Sequence, residues 1–225
     1  MAVHIRRPRS GRRSLKPATV VGAVALAALL SSGCGDFVRQ SRSPSQLVIV
    51  RLETPAVEFV QLQGGTGVPG KIESIPGFSV GPMYSDVDPP PTQTVRANLA
   101  RVVVRQVLRD PGAPGATAAP TPINDITVTE YEVRYRLASG RNTPGVDVPH
   151  PIRGGLTFTI QGTSTVTAEF DLVRLIAKQE SPLAALKSSS VVLTVIADVT
   201  FYGHDQAGNA VSATGSVQIN FADFG

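Results

Sequence analysis

Polarity divides the chain into an apolar run near its start, a polar stretch, and a long series of short alternating segments. The alternation is clearest at the end. Val191, Leu193, Val195, Ala197, Val199 and Phe201 occupy every second position. Val211, Ala213, Val217, Ile219 and Phe221 share another face, alternating with Ser212, Thr214, Ser216, Gln218 and Asn220. A step of two keeps side chains on one face of a strand, so two half-buried strands are predicted, with Val217 and Ile219 inward and Ser216 and Gln218 outward. Residues 202–209 lie between them. Gly208 and Asn209 tolerate positive φ there and suit a reversing turn, which makes the unit an antiparallel hairpin.

Further strands are legible upstream. Residues 46–53 carry Leu47, Val48, Ile49, Val50 and Leu52, apolar on both faces. Residues 95–108 form a valine-rich run in which Val102-Val103-Val104 favours strand over helix. Residues 126–137 alternate, but their apolar phase shifts between Val128 and Tyr131, which predicts a bulge. Residues 156–160 and 165–173 alternate as well. In the second, Val166, Ala168, Phe170 and Leu172 face one way and Thr165, Thr167, Glu169 and Asp171 the other. Ser181-Pro182 predicts one short helix over 182–187, with serine as its cap and proline as its first residue. Residues 54–94 are too broken by Gly and Pro to assign. Pro89-Pro90-Pro91 reads as an extended loop, and 110–122 as a mobile linker of Pro, Gly and Ala.

The start of the chain is of another kind. Residues 4–16 are basic, residues 18–30 are apolar, and Ser31-Ser32-Gly33 precede Cys34. A transmembrane helix needs about 20 apolar residues, so this shorter run suits the apolar core of an export signal. Leu30-Ser31-Ser32-Gly33-Cys34 resembles the lipobox of bacterial lipoproteins, with the leucine one place further from the cysteine than is usual. The resemblance implies cleavage before Cys34 and lipid attachment to its thiol. Cys34 is also the only cysteine, so no intramolecular disulfide can form. The expected organisation is a signal peptide over 1–33, a flexible tether over 34–45, and one domain over 46–225. Gly35 follows the cysteine where, in enterobacterial relatives of this signal, Asp retains the protein at the inner membrane. The outer membrane is therefore expected in a Gram-negative host. Arg12-Arg13-Ser14-Leu15-Lys16 partly resembles the twin-arginine export motif, and an ordinary arginine-rich leader remains the alternative.

Asp205-Gln206-Ala207-Gly208-Asn209, set between two alternating strands at the end of a domain, resembles the last hairpin of bacterial immunoglobulin-like and fibronectin-III-like domains. The resemblance covers about the last 35 residues and implies an all-β fold. The expectation is an immunoglobulin-like antiparallel β-sandwich of about seven strands with one short helix.

Charge then narrows the partners. The sequence pI is about 9.6, which invites nucleic acid as a ligand. Yet six of the 21 Lys and Arg residues precede Cys34, and all 17 Asp and Glu follow it. The remainder carries 15 basic and 17 acidic groups, a balance of −2, with no surplus to neutralise phosphates.

Candidate chemistry is sparse. Gly77-Phe78-Ser79-Val80-Gly81 fits the G-x-S-x-G elbow of serine hydrolases, and Ser79, Asp198 and His204 stand in that family's chain order. Pro82 follows where a helix should begin, so Ser79 is retained only as a remote candidate nucleophile. His150 and His204, the histidines after Cys34, are too few for zinc, and both read as loop residues. Asp86 with Asp88, or Asp205 with Asn209, offer oxygens but too few for calcium. Arg101 and Arg105 share a strand face and are expected to be solvated or paired with Glu130 and Glu132. No cofactor, metal site or catalytic residue is expected, and the domain is expected not to be an enzyme. The function expected is a membrane-anchored, non-catalytic interaction or structural module with a protein partner. The alternative is a small-ligand or glycan binder, favoured if Tyr131, Tyr135 or Tyr202 lined a pocket.

Overall fold

A computed structural model describes residues 43–60, 71–89, 94–110 and 119–224. Among these residues nine strands form two sheets: β1 (Ser45–Val60), β2 (Lys71–Ser79), β3 (Met83–Asp86), β4 (Asn98–Leu108), β5 (Ile126–Arg136), β6 (Ile152–Ile160), β7 (Thr165–Val173), β8 (Leu193–Asp205) and β9 (Ala210–Ala222). The first sheet has the order β2-β1-β4-β7, the second β3-β9-β8-β5-β6. All pairings are antiparallel except that of β3 with β9.

Alternation drives this arrangement. Ala100, Val102 and Val104 of β4 face Leu47 and Leu52 of β1 and Phe170 and Leu172 of β7 on one side of a shared core. Tyr131, Val133, Val195, Val199, Phe201, Ile219 and Phe221 of the second sheet form the other side. Val217 and Ile219 are buried and Ser216 and Gln218 exposed, in the predicted register. The phase shift in β5 is a bulge at Thr129, where pairing to both β6 and β8 slips between Val128 and Glu130. A second bulge, at Val50, lets β1 turn both Ile49 and Leu52 toward β9. There Gly215 makes room: a β-carbon on it would lie 2.9 Å from Leu52 Cδ1.

Tyrosines close one flank. β7 is an edge strand, and edge backbone groups need partners. The Tyr135 hydroxyl donates to the Leu172 carbonyl at 2.6 Å, and the Tyr131 hydroxyl accepts from the Asp171 amide at 3.2 Å. Both tyrosines stand on β5, so two core side chains reach across from the opposite sheet and occupy the free edge. The Tyr131 ring also lies over Gly154 of β6, where a β-carbon would collide with it.

Three expectations are corrected. Nine strands replace seven, because β2 and β3 arise within residues 54–94, where Gly and Pro conceal the alternation. β3 is four residues long and exists through its nonlocal pairing with β9. No α-helix occurs among the described residues. Over 182–187 the chain makes a 3-10 turn, Leu183–Leu186, and Ser181 does not cap it; Pro182 stands at the cap position with no side-chain cap bond. A three-residue period sets Leu183 and Leu186 on one buried side, and the stretch is too short to propagate an α-helix. Two further 3-10 turns, Pro122–Asn124 and Leu175–Gln179, have no counterpart in the sequence reading. Finally, Ser43 and Ser45, read as tether, are buried, and Ser45 already belongs to β1. The expected linker at 110–122 falls mostly outside the described residues.

Candidate functional site

The point where the chain joins the two sheets is fixed by a small polar lock. Asp205 ends β8 and is fully buried. Its carboxylate accepts from the Ala207 amide (3.0 Å), the Asn209 amide (2.8 Å) and Asn209 Nδ2 (2.9 Å), while Gly208 takes the left-handed φ of 86° that the turn requires. The Ser43 hydroxyl also bonds the Asp205 carboxylate. Ser43 Oγ accepts from the Ser45 amide at 3.1 Å, and the Ser43 carbonyl accepts from Arg109 Nε at 3.0 Å. Burial by itself would raise the Asp205 pKa. Hydrogen bonds from Asn209, Ser43 and Ala207 outweigh it and hold the carboxyl below its ordinary value. The Asp-x-x-x-Asn pair is thus a turn that its own donors satisfy, with strand β8 running on to Asp205 rather than ending at Phe201.

The opposite end carries the β7–β8 connection. Ser45 pairs with Leu108 at one end of β4, and Asn98 at the other end pairs with Val173. Ten steps at about 3.3 Å separate the two ends by roughly 33 Å. The connection leaves Leu175 40%, Ile176 55%, Val191 59% and Val192 53% exposed. In the same connection Lys178 is buried, and its ammonium donates to the Asp86 carbonyl at 2.9 Å. Desolvation pushes its pKa down to about 8, against the opposing pull of Asp86. Asp86, weighed above as a calcium ligand, therefore faces a cation supplied by the chain itself. Its carboxylate accepts from the Asp88 amide at 3.0 Å.

The outer sheet faces hold charge ladders. On the second sheet, Glu132 meets Arg134 at 3.0 Å and the Tyr202 hydroxyl at 3.2 Å. Its pKa is lowered, chiefly by the Arg134 hydrogen bond. Arg136 binds Asp198 at 2.7 Å, and Ser216 Oγ donates to Asp198 at 2.6 Å. Burial raises the Asp198 pKa, but Arg136 and Ser216 together bring it below its usual value. On the first sheet, Arg101 pairs with Glu169 at 2.8 Å and lies 4.0 Å from the centre of the Phe78 ring. Glu130 and Glu132, expected to pair with Arg101 and Arg105, stand on the other sheet and meet Arg153 instead.

The sequence-selected residues scatter. Ser79 is exposed at the end of β2 in the first sheet; Asp198 and His204 stand on β8 in the second, and Asp198 is engaged with Arg136 and Ser216. His150 is exposed, with its ring over Gly145. Tyr131 and Tyr135 are core residues 4% exposed, and burial raises both pKa values. Tyr202 is half-buried, with the Arg153 guanidinium above its ring. Tyr131 and Tyr135 are therefore not available to stack on a sugar. Cys34 and the expected signal peptide over 1–33 lie outside the described residues. Lys178, Ser43 and Arg109 are the polar anchors the sequence did not mark. Each bonds a partner remote in sequence, Asp86 lying 92 residues from Lys178, and no local pattern encodes that.

Among the described residues no three His, Cys, Asp or Glu side chains cluster as metal ligands would. No helix among them is long and apolar enough to cross a membrane. No protein-family model matches the chain. No curated protein matches it either.

Proposed function

We propose that this protein is an exported lipoprotein, anchored to the cell envelope through lipid on Cys34, whose domain is a non-catalytic interaction module of immunoglobulin-like, fibronectin-III-like type. Strand order supports the fold assignment. β1-β4-β7 corresponds to strands A, B and E, and β9-β8-β5-β6 to G, F, C and an added strand beside C, with β2 and β3 as additions. The Asp205–Asn209 turn joins β8 to β9, the place an F–G hairpin would hold under this assignment.

The observation that carries the function is the separation of the two ends. Ser43, the described residue nearest Cys34 in sequence, is held by Asp205 and Arg109, while the exposed aliphatics Leu175, Ile176, Val191 and Val192 stand at the far end. Exposed aliphatic side chains at one end of a domain suit a protein partner. A rigid body fixed at its membrane end would present that surface outward, at the outer membrane in a Gram-negative host. A photo-crosslinking residue at Ile176 should trap a partner in intact cells, and one at exposed Ser212 on the sheet face should not; equal labelling would remove the far end as the contact surface. Cys34→Ser should abolish lipid labelling and leave the protein out of the detergent phase. A serine variant that still partitions into detergent would refute the anchor. A fluorophosphonate probe that labels the protein but not Ser79→Ala would replace binding with hydrolysis as the leading activity.

A further inference from the structure

Two buried polar side chains near the anchored end have no partner. Gln106 of β4 is 5% exposed, and neither Oε1 nor Nε2 makes a hydrogen bond. Ser45 of β1 is 0% exposed, and its Oγ makes none. The strand register brings them together: Leu47 pairs with Gln106 and Ser45 with Leu108, so Ser45 and Gln106 are diagonal neighbours. Both lie on the inward face, in phase with Leu47, Val102 and Val104. Diagonal neighbours sit about 7–8 Å apart, a spacing that one bridging molecule can span, and no direct hydrogen bond joins the two side chains.

We infer that Ser45 and Gln106 form an internal binding site for one water molecule. Three polar atoms, one hydroxyl and the two ends of an amide, match the usual complement of about three partners for a buried water. The chemistry also excludes the alternatives. An amide oxygen and a hydroxyl give a metal ion no charge and too few ligands. An apolar guest would leave all three atoms unsatisfied. The water takes a donor and an acceptor role at Gln106 and the remaining role at Ser45, so it joins β1 to β4 beside the point where Ser43 meets Asp205. The seam between the first strand and its neighbour is then held at the place where tension from an anchor would act.

The test uses the full chain carrying Cys34→Ser. In a high-resolution crystal structure, one ordered solvent peak is expected within hydrogen-bond distance of Ser45 Oγ and of the Gln106 amide. Gln106→Met, close in size and unable to bond water, is expected to lower Tm. A Gln106 amide bonded directly to a protein group, with no solvent peak beside it, overturns the inference. So does a Gln106→Met protein that melts higher than its parent, because that is the response of a dry, unsatisfied amide replaced by an apolar side chain. The crystal result stands even if the substituted protein fails to fold.

Discussion

The two tyrosines that reach from β5 to the edge of β7 allow a sharp test of how the sheets are joined. Tyr135 is 4% exposed and its hydroxyl lies 2.6 Å from the Leu172 carbonyl oxygen. Tyr135→Phe keeps the ring and the packing and removes one atom. A typical hydrogen bond contributes about 0.5–1.5 kcal/mol net, but a buried carbonyl left without a donor costs about 1–3 kcal/mol. Leu172 is itself fully buried, so its carbonyl has poor access to replacement water. The loss should therefore be about 2 kcal/mol. For a domain of this size each kcal/mol moves Tm by about 2–4 °C, which gives a fall of about 4–8 °C. Thermal unfolding followed by far-ultraviolet circular dichroism measures it. Tyr202→Phe is the control, because that hydroxyl bonds Glu132 at 3.2 Å, a carboxylate that Arg134 goes on holding, and should matter by less than about 1 kcal/mol. If Tyr135→Phe melts with the wild type, the β7 edge is solvated and the tyrosine closure is wrong. If Tyr202→Phe loses as much, the effect is not specific to the edge.

Ile219→Ala should cost about 2–5 kcal/mol, since the side chain is fully buried between the sheets. Ser216→Ala should cost no more than about 1 kcal/mol, because an exposed hydroxyl loses only its bond to Asp198; equal losses in urea titration would remove the β9 register. The folded pKa of Asp205 lies below its unfolded value of about 3.9, so its contribution is full above that pH and is lost as pH falls through the folded pKa. Asp205→Asn should flatten the acid limb of a Tm profile from pH 6 to 2, and an unchanged limb would count against the lock at Ser43. Lys178 also has a lowered folded pKa, about 8, but here the charged form is the one penalised, so it costs stability at neutral pH. Stability should rise as pH passes from about 8 toward the unfolded value of about 10.4. That rise should be absent in Lys178→Met, and a rise of the same size in the variant would exclude Lys178 as its source.

Local pattern alone determined much of this protein. A period of two over 165–173 and 211–221 specified half-buried strands, because a strand turns alternate side chains to opposite faces and only one face had apolar residues to bury. The slip of phase between Val128 and Tyr131 located a bulge, and the Asp-Gly-Asn chemistry located the last turn. The basic, apolar and small-residue order before Cys34 is likewise a local signal, read without any fold. What only the tertiary structure decided involves groups far apart in the chain. The 3-10 turn at Leu183–Leu186 replaced a helix because two leucines had to face the same core. β3 formed because β9 offered it an edge. Tyr131 and Tyr135 became core residues and not a sugar platform because their hydroxyls had edge groups of β7 to meet. Lys178 was buried because the Asp86 carbonyl was there to receive it. Ser79, Asp198 and His204 follow a hydrolase order in sequence, but the fold set them on separate sheets. A one-dimensional pattern carries the direction each side chain takes from its own strand; which partner waits there depends on how distant strands pair.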